Sequence, residues 1–192
     1  LVQPAFHRER MAAYGEVMVS YAERLADEWR DGETRDVHQD MMRLTMEIVA
    51  RTLFSADVAG DAADVGRALA VIAEPFAAQA TFKWILDNRL PTPTHRRFFR
   101  TVARLDEVIF RIIRARRAEG GDSGDLLSML LHARDEDGGC MTDRQLRDEV
   151  MTLFLAGQET TALALSWAWH LLMLNPTAEA RLHAELAEVL GG

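Results

Sequence analysis

The sequence predicts an all-α chain organised around one long helix. Three observations carry this. Apolar residues recur at three- and four-residue spacing through nearly every segment, strand-like alternation is almost absent, and one stretch of helical spacing runs from Thr142 to Asn175 without a proline. No internal repeat, low-complexity run or glycine-rich nucleotide motif interrupts the pattern.

The elements follow in order. Pro4 interrupts whatever precedes it, and from His7 to Arg30 the residues Met11, Tyr14, Val17, Met18, Tyr21 and Leu25 form an amphipathic stripe. Asp31-Gly32-Glu33 is a stop and turn. A second helix begins at Asp36 or His38, with Met41, Met42, Leu44, Thr45, Ile48, Val49, Leu53 and Phe54 as a broad apolar face. Asp61 to Ala80 reads as a weaker, alanine-rich helix with Val65, Leu69, Ile72 and Phe76 in line, and Pro75 predicts a kink or break there. Thr81 to Asn88 continues it or forms a separate turn, and Leu90-Pro91-Thr92-Pro93-Thr94 is a loop by composition. A long helix follows from Thr94 to Glu119, then a flexible break at residues 120–124, a short helix from Asp125 to Arg134, and a polar turn at residues 135–139. Pro176 opens a last helix, where proline is favoured, and Gly191-Gly192 closes the chain.

The central stretch, TDRQLRDEVMTLFLAGQETTALALSWAWHLLMLN, starts on Thr142 as N-cap with Asp143 in the first turn, and ends where Pro176 forbids continuation. Its middle is apolar nearly all round, which predicts a helix buried in a larger protein. Yet that middle carries Ala156-Gly157-Gln158-Glu159-Thr160-Thr161, where a charge and hydroxyls are costly to bury. Gly157 costs about 1 kcal/mol against alanine in a helix interior and so needs a packing or an access reason. Thr160 has two options, a back-bond to the carbonyl of Ala156 or a turn of its hydroxyl toward a ligand. With Glu159 beside it, the pair has the makings of a proton-delivery device.

The pattern Ala/Gly-Gly-x-Asp/Glu-Thr-Thr/Ser within a long apolar helix resembles the oxygen-binding central helix of the cytochrome P450 heme-thiolate monooxygenases. Asn175-Pro176 with Ala180, Arg181, Leu182, Glu185 and Leu186 looks like the next helix of that family, and Leu1-Val2-Gln3-Pro4-Ala5-Phe6 looks like the exit from its third helix. The resemblance covers essentially the whole chain. It implies that residues 1–192 are part of a single cytochrome P450 domain, a middle fragment whose N-terminal part and C-terminal heme-ligand part lie outside this sequence. It implies insertion of one atom of O2 into a small apolar organic substrate, with heme b as cofactor and electrons from NAD(P)H through a ferredoxin or flavoprotein reductase. Thr160 would be the hydroxyl beside the bound oxygen and Glu159 its acid partner in a water-linked relay. Ala156 and Gly157 would form the close surface over the heme, and Thr161 would be mainly structural with a supporting role there. Residues 61–119 would form the lid over the substrate pocket, although two amphipathic helices joined by a proline-rich loop explain the same periodicity. Phe76, Phe82, Phe98 and Phe99 suit either an apolar pocket or ordinary core.

Composition bounds the alternatives. At 192 residues and 48% hydrophobic the chain can bury one sizeable core, and a net charge of −8 argues against non-specific nucleic-acid binding. The acidic balance and single cysteine, Cys140, favour a cytoplasmic protein without a disulfide framework, and no membrane span is expected because Glu159 and the threonines interrupt the apolar run. Six histidines without an i,i+4 pair make a histidine metal site improbable. Cys140 does not match the family's axial cysteine, so no metal ligand is assigned. Arg111, Arg114, Arg116 and Arg117 close a helix where positive charge suits the macrodipole, and read as a solvated end. A non-enzymatic helical ligand-binding or regulatory domain, or an inactive fragment, would also fit the helical pattern.

Overall fold

A computed structural model of the chain describes residues 7–56, 93–120, 124–134 and 138–191. The expected helix at Asp61–Ala80 with its Pro75 kink, the segment Thr81–Asn88, most of the proline-rich loop, Phe76, Phe82 and the entry segment Leu1–Phe6 lie outside those residues. Six helices are described: α1 (Arg8–Glu28), α2 (Val37–Phe54), α3 (Pro93–Glu119), α4 (Leu126–His132), α5 (Asp143–Leu174) and α6 (Pro176–Leu190). The only β pairing among the described residues is an isolated bridge between Arg134 and Cys140.

The helix ends follow their local chemistry. Thr142 caps α5 in a reciprocal box: its hydroxyl accepts from the Gln145 amide at 3.3 Å, and the Gln145 side chain accepts from the Thr142 amide at 3.0 Å. Asp36 and Asp125 cap α2 and α4 by accepting from Gln39 and Ser128 amides. Pro176 occupies the first turn of α6, and Gly191, at φ 82°, ends it in the left-handed conformation that glycine adopts without a Cβ penalty.

Helix α2 packs along α5 more extensively than any other pair. Met46, Val49, Ala50 and Phe54 of α2 meet Leu146, Val150, Met151 and Phe154 of α5, with Phe54 and Phe154 stacked at 6.2 Å between ring centroids. Leu105, Ile109 and Ile113 of α3 and Leu126, Leu127 and Leu130 of α4 close the same core. A smaller cluster of Leu25, Met41 and Ala162 seats α1, and Trp29 lies 5.5 Å from Trp169.

Ion pairs stitch the layer. Arg24–Glu47 and Arg43–Glu28 join α1 to α2, and the Arg147 Nε donates to Asp106 at 2.6 Å between α5 and α3. Arg35 donates to both carboxylate oxygens of Asp40, at 2.8 and 3.1 Å. Hydrogen bonds from Arg35 are the chief reason the buried Asp40 carboxyl sits below its ordinary range. Because the folded-state value is depressed, this stabilisation is full above the unfolded value near 3.9 and is lost as pH falls through the folded value. Asp40→Asn therefore flattens the loss of stability below about pH 4, measured by urea unfolding at successive pH values.

Arg116 is not part of a solvated helix end: it is 7% exposed and pairs at 2.7 Å with Asp125, itself 4% exposed. Its guanidinium also donates to the Ser128 hydroxyl at 2.9 Å and the Phe54 carbonyl at 3.1 Å. It thereby ties the end of α3 to the start of α4 and the C-terminus of α2. Periodicity places Arg116 on the Leu105–Ile109–Ile113 stripe, and the partners brought there by the fold decide its burial. Arg111, Arg114 and Arg117 are exposed, as expected.

Candidate functional site

Helix α5 runs unbroken through the six-residue motif. Its buried stripe is Leu146, Val150, Phe154, Gln158 and Ala162, each four residues from the next. That stripe faces α2. The burial expected all round is thus realised on one side: Ala156, Glu159, Thr160 and Thr161 are exposed, and Leu163 and Trp167 continue the open face at 49% and 56% exposure. The physical reason is that α2 and its neighbours cover one flank of α5, and no described residue covers the other.

The motif residues therefore divide between two faces. Ala156, Thr160, Leu163 and Trp167 share one open stripe by helical spacing, with Glu159 beside it. The Thr160 hydroxyl donates to the Ala156 carbonyl at 2.8 Å, which is the back-bond among its two options. Gly157 belongs to the other side: a Cβ built there would stand 3.2 Å from the Val49 Cγ2 of α2. Packing, of the two reasons open for this glycine, accounts for it. Gly157→Ala then sets a crowded contact with a stiff β-branched neighbour against the helix-propensity gain of about 1 kcal/mol. We expect a net loss of about 1 kcal/mol that becomes a gain when Gly157→Ala is made in the Val49→Ala background, so the two changes are non-additive by at least about 1 kcal/mol; chemical denaturation of the four proteins measures it.

Gln158 was legible only as the unspecified position of the motif. It is fully buried, and its Nε2 donates to the Met42 carbonyl of α2 at 3.1 Å. Its place on the four-residue stripe from Leu146 was the available signal. Further along, Ser166 donates to the Ala162 carbonyl at 2.7 Å, so the His38 Nδ1 that lies 3.1 Å from its hydroxyl is the donor there.

The open face fits a flat apolar cofactor. Ala156 offers one exposed methyl rather than a bulky side chain, Leu163 and Trp167 extend an apolar surface, and a hydroxyl and a carboxylate lie within one turn. No group of three or more candidate metal ligands occurs among the described residues, and Cys140 is exposed in the turn before α5. No described helix is long and apolar enough to cross a membrane.

A helical layer built on one long helix, presenting an acid and an alcohol on an open apolar face, is the arrangement expected on the oxygen side of a heme-thiolate fold. The family model described as Cytochrome P450 matches residues 1–192, and the chain belongs to that family. It is 47% identical over 195 residues to "Cyclooctatin synthase" of Streptomyces melanosporofaciens, and 38% identical over 194 residues to "Cyclooctat-9-en-7-ol 5-monooxygenase" of the same organism. In both cases all of this chain aligns with 42% of the relative. "Pentalenene oxygenase" of Streptomyces avermitilis is 35% identical over 193 residues, 100% of this chain and 43% of that protein. The solved heme domain of cytochrome P450DA superposes with a TM-score of 0.80 at 30% identity, covering 98% of this chain and 42% of that one. The chain thus spans under half the length of the relatives it matches.

Proposed function

We propose that this chain is the oxygen-side helical layer of a heme-dependent monooxygenase that inserts one atom of O2 into an apolar alkene or alkenol. The observation that carries the reading is the division of the α5 motif: Glu159 and Thr160 share the open face with Ala156, while Gln158 and Ala162 are packed against α2. The names of the relatives, which refer to pentalenene and to cyclooctat-9-en-7-ol, support the substrate class. The electrons would come from NAD(P)H through a ferredoxin or flavoprotein reductase, and the single cysteine and acidic balance suit a cytoplasmic enzyme.

A thiolate-ligated heme, when bound, supplies the activation of O2 and cleavage of the O–O bond. Ala156 would hold its flat surface, with Thr161 in support, while Gly157, packed against Val49, would serve that surface by letting α5 sit close on α2. The chain's own task is proton handling. The Thr160 Oγ1 would give up its hydrogen bond to the Ala156 carbonyl and turn outward, donate a proton to the oxygen atom that leaves as water, and accept one in return from a neighbouring water. The exposed Glu159 carboxyl recharges that water from solvent. The apolar stripe of Leu163 and Trp167 excludes bulk water from the same face once covered.

The test is to express the full-length protein and record its reduced carbon monoxide spectrum, then product and NAD(P)H consumption with an alkene substrate. The red-shifted band of a thiolate-ligated heme together with coupled oxygenation is expected. A protein that binds no thiolate-ligated heme would overturn the reading.

A further inference from the structure

The motif on α5 keeps one polar side chain on its inward face. Gln158 is fully buried, its Nε2 donates to the Met42 carbonyl at 3.1 Å, and the same atom lies 3.4 Å from the Met42 sulfur. Its Oε1 is buried with no hydrogen-bond partner. An amide half-satisfied in a core is a poor way to fill space, because an apolar side chain of similar size would remove the orphaned acceptor. The neighbouring inward positions, Val150 and Phe154, are filled that way. What the amide adds is direction: apolar packing tolerates rotation, whereas a hydrogen bond weakens steeply as it misaligns.

Its acceptor is well fixed. The Met42 carbonyl lies inside α2, where the buried Thr45 hydroxyl donates to the Met41 carbonyl at 2.8 Å and lies 3.3 Å from the Met42 carbonyl. Gln158 precedes Glu159 directly and Thr160 by two residues, so rotation of α5 at Gln158 swings both. A side-chain atom about 5 Å from a helix axis moves by about 0.9 Å for a rotation of about 10°, and displacements near 1 Å are large for proton transfer. We infer that Gln158 is a positioning residue: its bond to the Met42 carbonyl sets the rotational register of α5 against α2 and so aims Thr160 and Glu159. This rests on the function proposed above.

The test uses the full-length enzyme with Gln158→Leu and Gln158→Glu, alongside Thr160→Ala. Gln158→Leu keeps the volume and removes the donor. The expected result is a retained thiolate-heme band, a thermal midpoint within about 4 °C of the parent, and at least a fivefold fall in product per NAD(P)H oxidised. Gln158→Glu can donate to the Met42 carbonyl only when protonated, so its coupling rises toward that of the parent as pH is lowered. A variant whose thermal midpoint falls while coupling is unchanged has lost only packing, and would overturn the inference. If Gln158→Leu does not fold, a Gln158→Glu coupling profile parallel to the parent's overturns it equally. An enzyme uncoupled by Thr160→Ala but fully coupled with Gln158→Leu overturns the positioning role alone. A parent protein without thiolate-ligated heme overturns the functional reading and this inference together.

Discussion

Thr160→Ala in the full-length enzyme is expected to lower product formed per NAD(P)H oxidised by about 100-fold, the lower end of what a positioned proton donor contributes, with little change in stability. Thr160 is exposed, and its hydroxyl's hydrogen bond is to the carbonyl of Ala156 in its own helix. Removing it leaves no buried group stranded, and alanine is the better helix former. The stability change should therefore lie within about 0.5 kcal/mol of zero. Thr160→Ser keeps the hydroxyl and should hold most of the coupling. Measuring product and cofactor consumption in one assay separates a lost proton donor, which leaves consumption running, from a damaged fold, which stops both. Coupling unchanged in Thr160→Ala would remove the residue from the proposed relay.

Arg116→Met is expected to cost about 3–5 kcal/mol of stability, the usual result of removing one member of a buried ion pair. The Asp125 carboxylate would be left in a site only 4% exposed, and the Phe54 carbonyl would lose its donor. The loss should fall on the junction of α2, α3 and α4, which that guanidinium links. Adding Asp125→Asn removes the stranded charge while an amide oxygen can still accept from the Ser128 amide, now 2.8 Å from the Asp125 Oδ1. The double variant should recover at least about half of the loss. Urea unfolding of the full-length protein, with the single variants as references, measures this. A loss below about 1 kcal/mol for Arg116→Met would show that water replaces the guanidinium at little cost.

The helices were legible because their causes are local. Thr142 before a four-residue apolar stripe, Pro176 after Asn175 and the turn at Asp31-Gly32-Glu33 each act within a few residues, and the described helices begin and end within about four residues of these signals. The resemblance on Ala156 to Thr161 led to the right family for the same reason: the motif is contiguous. The pattern alone places Arg116 at a solvated helix end, because its partners, Asp125, Ser128 and Phe54, are brought to it only by the packing of three helices.

The sequence by itself determined the helical class, the central helix with its two stops, and the acid–alcohol pair, since periodicity and capping are properties of neighbouring residues. Tertiary structure alone decided which way each motif residue points. Side chains 100° apart around a helix acquire different roles only when one flank is covered. Here α2 covers the flank of Gly157 and Gln158, through Val49 and the Met42 carbonyl, and leaves Ala156, Glu159 and Thr160 on the other.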